Sequence, residues 1–242
     1  MRALLSFFTA LPVRDVSLER VARRSYLLPL VGLFTGAPGA ALILLGYAMP
    51  SGVVATLALG AVLLAAGLHH TDGVLDAGDA LMVRGAPERR RAVLKDTRVG
   101  VGGIAALFVV YAPTLAALVA LIEDSPARAA LALLAAEVSA RSAMLLMLAF
   151  GRPAEKGSSS VPFVRSLEGS RRAAGVSLAL LGPLLCLLPL GGFAPLAVLS
   201  VPLTALVALR VVRTSFGGIG GDVVGATGEV ARTVLLVALS AM

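Results

Sequence analysis

The 242-residue chain is poor in groups that carry chemistry: it has one cysteine and two histidines, and Asp, Glu, Lys and Arg together make up only 14% of it. A single thiol excludes both an intrachain disulfide and a thiolate metal centre. Cys186 lies in an apolar run and reads as a small buried residue. There is no P-loop, G-x-S-x-G or H-E-x-x-H pattern, so ATP hydrolysis, serine hydrolysis and zinc proteolysis have no support. No internal repeat is visible either. What fills the chain is apolar: 58% of residues are hydrophobic and the mean hydropathy is +0.93. A soluble domain of this length cannot hide so much apolar surface. Several runs approach the roughly 20 residues that cross a bilayer. The composition predicts an all-α, polytopic integral membrane bundle of six to seven transmembrane helices, preceded by an interfacial N-terminal helix, as one unit over residues 1–242.

Residues 1–25 carry Arg2, Arg14, Arg20, Arg23 and Arg24 and form an amphipathic lead segment. Its start has the short apolar core of a signal peptide. An Arg-rich stretch follows in place of a small-residue cleavage site, which favours a retained helix on the membrane surface. Spans are expected at about 26–48 (with kinks at Pro29 and Pro38), 51–68, 101–122, 127–150, 173–190, 193–212 and 221–241. Glu229 and Arg232 interrupt the last, and Glu137 and Arg141 share one face of the fourth, where they are expected to pair inside the bundle. Lys and Arg concentrate in alternate connections: five in the lead segment, six in 69–100, five in the polar loop 151–172, then Arg210 and Arg213. The intervening connections hold none, one (Arg128) and none. By the positive-inside rule the charged connections face the cytoplasm, in the cell (inner, cytoplasmic) membrane. Topology thus accounts for most of the formal +7 charge, and no nucleic-acid partner is implied. Arg89-Arg90-Arg91 reads as an anchor to anionic lipid.

The stretch Leu68–Gly103 holds five of the fourteen acidic residues: Asp72, Asp76, Asp79, Glu88 and Asp96. On a helix, Asp72, Asp76 and Asp79 fall at i, i+4 and i+7 and share a face. Carboxylates so spaced repel unless a cation sits among them, and hard oxygen donors without Cys or His favour Mg²⁺, Mn²⁺ or Ca²⁺ over zinc. Solvating the end of a span explains one or two such acids; three on one face at membrane depth point to function. With Arg and Lys nearby, the cluster suits metal-dependent phosphate transfer.

Gly100, Gly102 and Gly103 are placed to bring backbone N–H groups to a phosphate at a helix start. Gly217, Gly221 and Gly225 recur every four residues, which serves either close helix packing or room for a large flat substrate beside Asp222 and Glu229. His69 and His70 are adjacent and face different directions on a helix. His70 reads as an interfacial hydrogen-bonder, with a second role beside Asp72 as the sharper alternative.

DAGDALMVR, from Asp76 to Arg84, resembles the start of the CDP-alcohol phosphotransferase signature, with Ala80 and Val83 replacing its Gly and Ala. AVLKD, from Ala92 to Asp96, resembles the next part, and Gly100 falls where that signature has its fourth aspartate. The chain is more closely similar to the cobalamin (5′-phosphate) synthase family. The similarity runs through FFTALPVR, YLLPLVGLFTG, HTDGVLDAGDAL, KDTRVGVGG, Arg141 and FGGIGGDVVGATGE, nearly the whole chain in order. Ala80, and Arg152-Pro153-Ala154-Glu155-Lys156-Gly157, depart from that family's usual Gly and R-P-x-G-x-G. The resemblance implies a transferase that joins GDP-activated cobinamide to α-ribazole or its 5′-phosphate, releases GMP and requires Mg²⁺. It implies Asp76, Asp79 and Asp96 as metal ligands, with Asp72 as a fourth ligand or base, so that Asp72 and Asp96 carry catalysis. Arg84, Lys95 and Arg98 would hold the diphosphate, and Arg141 would join Gly100, Gly103 and Asp222 at the substrate. A phospholipid-making CDP-alcohol phosphotransferase and an ion-coupled transporter stay open as alternatives, as does a homo-oligomer.

Overall fold

The computed structural model describes residues 1–11 and 17–242, and all regular structure among them is helical. The lead segment forms two short helices, α1 (Arg2–Phe8) and α2 (Leu18–Ala22); Arg14 lies outside the described residues. α1 buries Ala3, Leu4 and Phe8 and leaves Arg2 and Phe7 exposed, an amphipathic pattern packed against the bundle.

The first span is continuous from Ser25 to Tyr47. Its first two turns, Ser25–Leu30, are a 3-10 stretch holding Pro29, which lacks an N–H for an α-helical bond, and α3 (Val31–Ile43) tolerates Pro38 internally. Then come α4 (Ser51–Ala65), α5 (His69–Met82) and α6 (Pro87–Val93). Two long spans follow, α7 (Val101–Asp124) and α8 (Pro126–Phe150). The short α9 (Val161–Ser166) precedes α10 (Gly169–Leu187), α11 (Ser200–Phe216) and α12 (Gly221–Ser240). Six segments are long and apolar enough to cross a membrane, and the bent pair α4–α5 makes a seventh only if it is counted as one span. The chain is a polytopic helical membrane protein. The expected second span ends at Ala65, three residues early. With 15 residues, α4 is only about 22 Å long, short of the roughly 30 Å hydrocarbon layer.

α8 is the hub. Every residue from Ala135 to Ala149 is buried, on all sides of the helix, as expected of a helix enclosed by others. It packs against α3, α10 and α12 most extensively, and against α7 and α11. Glycines permit the tightest approach: a Cβ on Gly32 of α3 would lie 2.5 Å from the Glu137 carbonyl oxygen.

The expected Glu137–Arg141 pair is present, at 3.5 Å and fully buried. It is half of a larger network. Arg232 binds both Glu137 and Glu229, Thr35 donates to Glu137 Oε2 at 2.6 Å, and Tyr111 donates to Glu229 Oε2 at 2.9 Å. Two acids and two arginines, from α8 and α12, thus form a neutral quartet held by side chains from α3 and α7. This explains why α12 runs unbroken through Glu229 and Arg232: their charge is matched within the bundle.

Candidate functional site

The acidic helix is aimed by a break in the backbone. Between α4 and α5 the chain turns by 95°. Gly67 (φ 77°) and Leu68 (φ 62°) both lie in the left-handed region. For Leu68 this conformation is unfavourable and must be held by its surroundings; Ala10 N–H, from the lead segment, bonds the Ala65 carbonyl at 2.9 Å beside the turn. Beyond it α5 wedges between α7 and α12. A Cβ on Gly73 would lie 2.5 Å from the Asp222 carbonyl oxygen, one on Gly78 2.7 Å from the Gly102 carbonyl oxygen, and one on Gly225 2.8 Å from His70 Nδ1. Gly225 therefore serves close helix packing, one of the two readings of the glycine series.

Asp72, Asp76 and Asp79 share α5 as expected, Asp72 exposed and the other two half-buried. The charged neighbours of Asp76 are all carboxylates: Asp72, Asp222 and Asp79. Asp222, from α12, thus completes the cluster, a role the sequence did not suggest because 143 residues separate it from Asp79 (222 − 79). Asp79 caps the start of α7. Its two oxygens accept the Gly100 and Gly103 N–H groups at 2.7 and 2.8 Å. The amides that the sequence marks for phosphate are engaged with a side chain. Gly100 and Gly103 are needed for that approach, since a Cβ on either would lie within 3.0 Å of an Asp79 oxygen.

The structure does not bring Asp96 to this cluster. Its carboxylate takes the Arg98 guanidinium at 2.8 Å and the Arg98 backbone N–H at 3.1 Å. That side-chain bond, with the backbone bond second, holds the Asp96 carboxyl below the usual carboxylate range. Arg84 is exposed. Arg141 is wholly buried in the quartet. Among the described residues, no three His, Cys, Asp or Glu side chains converge closely enough to hold a metal ion. The donor set nevertheless fits a hard cation in kind, because Asp72, Asp76 and Asp222 are oxygen donors whose mutual repulsion no cation offsets.

Asp222 also lines a cavity of about 200 Å³ with Arg91, Lys95, Ser158, Ser159 and Gly218. Here the polar loop and the late glycine-rich segment zip together. Ile219 N–H bonds the Arg152 carbonyl at 2.8 Å and Ala154 N–H bonds the Ile219 carbonyl at 3.0 Å. A Cβ on Gly218 would lie 2.5 Å from the Arg152 carbonyl oxygen. Glu155 ties this loop to the basic helix, accepting from Lys95 at 3.0 Å and Arg91 at 3.2 Å. The Lys95 hydrogen bond and then its charge, with Arg91 adding less, hold the Glu155 carboxyl below the usual range. The tether is therefore complete above the ordinary carboxylate pKa and is lost only as acid titrates Glu155 through its lowered value. Arg91 also donates to the Phe216 carbonyl at 2.8 Å, and Arg90 to the Val83 carbonyl at 2.9 Å. Arg90 and Arg91, read from sequence as part of a lipid anchor, thus also make bonds within the protein, while Arg89 is exposed.

His70 departs from expectation too. It is 7% exposed and its Nε2 has no hydrogen-bond partner, so it is not the interfacial hydrogen-bonder that its sequence position suggests.

The family model for cobalamin-5-phosphate synthase matches residues 1–240. A protein of Methanocella arvoryzae named adenosylcobinamide-GDP ribazoletransferase is 32% identical over 260 residues, covering 100% of this chain and 95% of that protein. One of the same name from Methanococcoides burtonii is 32% identical over 99% of this chain and 91% of its own length. Another, from Saccharolobus islandicus, is 41% identical over 49% of this chain and 48% of its own. No solved structure matches the chain.

Proposed function

We propose that this chain, which belongs to the cobalamin-5-phosphate synthase family, joins adenosylcobinamide-GDP to α-ribazole or its 5′-phosphate, releasing GMP and closing the nucleotide loop of the cobalamin. The observation that carries this reading is the end-to-end match to proteins named for that transfer. The site agrees with it: a carboxylate cluster shares Asp222 with a cavity walled by Arg91 and Lys95.

In this reaction a free ribose hydroxyl of the ribazole, not the 5′-oxygen that carries phosphate in the alternative acceptor, attacks the phosphorus bonded to cobinamide. The bond from that phosphorus to the bridging oxygen breaks, GMP leaves with the bridging oxygen, and the attacking hydroxyl gives up its proton. Asp72, the exposed member of the cluster, takes that proton as general base. Lys95 and Arg91 line the diphosphate's cavity, and charge-assisted bonds there hold its oxygens as negative charge shifts to the leaving group. Arg98 gives the diphosphate a second guanidinium once it releases Asp96, which would free Asp96 to join the cluster. Asp79 fixes α7 against α5 and so holds the cluster's geometry. Asp72, Asp76 and Asp222 are the oxygen donors that would hold Mg²⁺, which would supply neutralising charge to the phosphate oxygens.

The basic connections carry the site. Contacts among the starts of α7 and α12 and the ends of α8 and α11 gather them at one end of the bundle, while Ser51 and Glu123, 2.8 Å apart, mark the other. By the positive-inside rule the site faces the cytoplasm, from the cell membrane.

The test is turnover by the purified full chain in detergent with Mg²⁺, GDP-cobinamide and α-ribazole. A cobalamin and GMP should form, EDTA should stop the reaction and Mg²⁺ restore it. Asp76→Asn should lower kcat at least a hundredfold without lowering the melting temperature. Consumption of CDP-diacylglycerol and an alcohol instead, or ion flux in liposomes without product, refutes the reading.

A further inference from the structure

A second cavity, of about 420 Å³, shares Ser159, Gly221 and Asp222 with the cation-lined one. Its character is different. Phe7 and Phe8 of α1, Phe163 of α9 and Met144 and Leu148 of α8 supply apolar and aromatic walls, and no Lys or Arg lines it. The three phenylalanine rings lie with centroids 4.9 to 6.1 Å apart, and Phe8 is 6.2 Å from the His70 imidazole. His70, itself part of the wall, is 7% exposed and holds Nε2 sealed from water without a partner.

A buried polar atom without a partner is uncommon in folded proteins and calls for an explanation. Here the ring that bears it borders a cavity of a size that ligands occupy. A diphosphate finds no counter-charge in this cavity but meets Arg91 and Lys95 in the next. The two compartments therefore suit different groups, a charged diphosphate and an uncharged flat ring.

We propose that this aromatic cavity seats the base of the acceptor, a fused heteroaromatic with one unsubstituted ring nitrogen, and that the His70 imidazole supplies the hydrogen bond that recognises that nitrogen. The assignment rests on the transferase reading and names the acceptor's half of the same site. Ring faces of the phenylalanines offer offset or edge contacts to a flat base. Nε2 is the unpaired group that the base nitrogen would engage, and that bond would satisfy both. The ribose then extends towards Asp222, where the two cavities meet and its attacking hydroxyl reacts. The placement also makes α1 part of the site, because the amphipathic lead segment forms one wall of the acceptor seat. A site built to donate a hydrogen bond rejects the analogue that lacks the acceptor atom, since its own polar group is then left unpaired.

The experiment uses the full chain in detergent and two probes: α-ribazole, and its indole counterpart in which a carbon replaces the unsubstituted ring nitrogen. Binding of each is measured by calorimetry, with KM and kcat followed in parallel. The wild type should prefer α-ribazole at least tenfold. His70→Phe should erase that preference by weakening α-ribazole alone, with KM for GDP-cobinamide unchanged. His70→Gln, which keeps an N–H donor, should retain a severalfold preference. Phe163→Leu, on another part of the wall, should weaken both probes alike. Equal binding of the two probes by the wild type, or a preference that survives His70→Phe, overturns the proposal. If His70→Phe does not fold, unchanged affinity for both probes in Phe163→Leu overturns it independently. Discrimination through His70 without turnover would leave the seat standing and remove the transferase reading. Turnover with discrimination independent of His70 would do the reverse.

Discussion

Replacing Arg232 by Met tests the account of the buried quartet. Arg232 is fully buried and binds Glu137 and Glu229, while of the two acids Arg141 pairs only with Glu137, at 3.5 Å. The substitution keeps the volume and removes one positive charge, leaving two buried acids against one arginine. Breaking a buried pair by removing one partner costs about 3–5 kcal/mol. At roughly 2–4 °C per kcal/mol for a chain of this size, the melting temperature should fall by on the order of 10 °C. The chain provides its own probe, because Cys186 is the only thiol and is only partly buried; a thiol-reactive fluorophore therefore reports unfolding in detergent. The double variant Arg232→Met/Glu229→Gln restores neutrality and keeps an acceptor for Tyr111, so it should recover more than half of the loss. A shift of under about 2 °C for the single variant, or a double variant no better than the single, would refute the claim that charge matching, and not packing alone, holds α12 to α8.

Asp79→Ala removes the acceptor for two α7 amides, and at about 0.5–2 kcal/mol for a lost cap should lower the melting temperature by several degrees. Asp79→Asn keeps one acceptor oxygen and should lose less; equal loss would show that the cap does not act through its hydrogen bonds. Gly73→Ala places a Cβ 2.5 Å from the Asp222 carbonyl, forcing α5 from α12 at a cost of about 1–3 kcal/mol. It should cut turnover more than stability, measured together on one preparation, because it moves Asp72 and Asp76 relative to Asp222. Glu155→Gln removes the charge that binds Lys95 and Arg91 and should speed tryptic cleavage after Lys156 severalfold; an unchanged rate would mean that the Ile219 zipper alone holds the loop.

The spans were legible because crossing a bilayer imposes length and apolarity on contiguous residues, and α7, α8 and α12 fall within a few residues of where hydropathy places them. The face shared by Asp72, Asp76 and Asp79 was legible for a related reason: helical periodicity is local. What escaped depends on distant partners. Glu229 and Arg232 look like an interruption until Glu137, 95 residues before Arg232, is brought beside them. Gly100 and Gly103 look like a phosphate cradle until Asp79 is seen to fill it. The 95° turn at Gly67–Leu68 has one glycine as its only cue, and a Leu in the left-handed region is a conformation that no propensity predicts.

The two groups of buried or half-buried acids invite comparison, because one fold treats them oppositely. Glu137 and Glu229 lie deep among helices, each matched by an arginine and by a hydroxyl donor, so their charges are closed off. Asp72, Asp76 and Asp222 lie at the end of the bundle where basic loops meet, and the charged neighbours of Asp76 are carboxylates only. A membrane helix tolerates acid by neutralising it. Where the protein's own residues supply that neutralisation, the acid is structural. Where they do not, the acids stay uncompensated by the protein's own cations, which is why the open cluster is the proposed seat of a divalent ion. The quartet is then what allows the cluster to stay open: by fixing α12 against α8 and α7, it holds Asp222 opposite α5 without any cation of the protein's own entering the cluster.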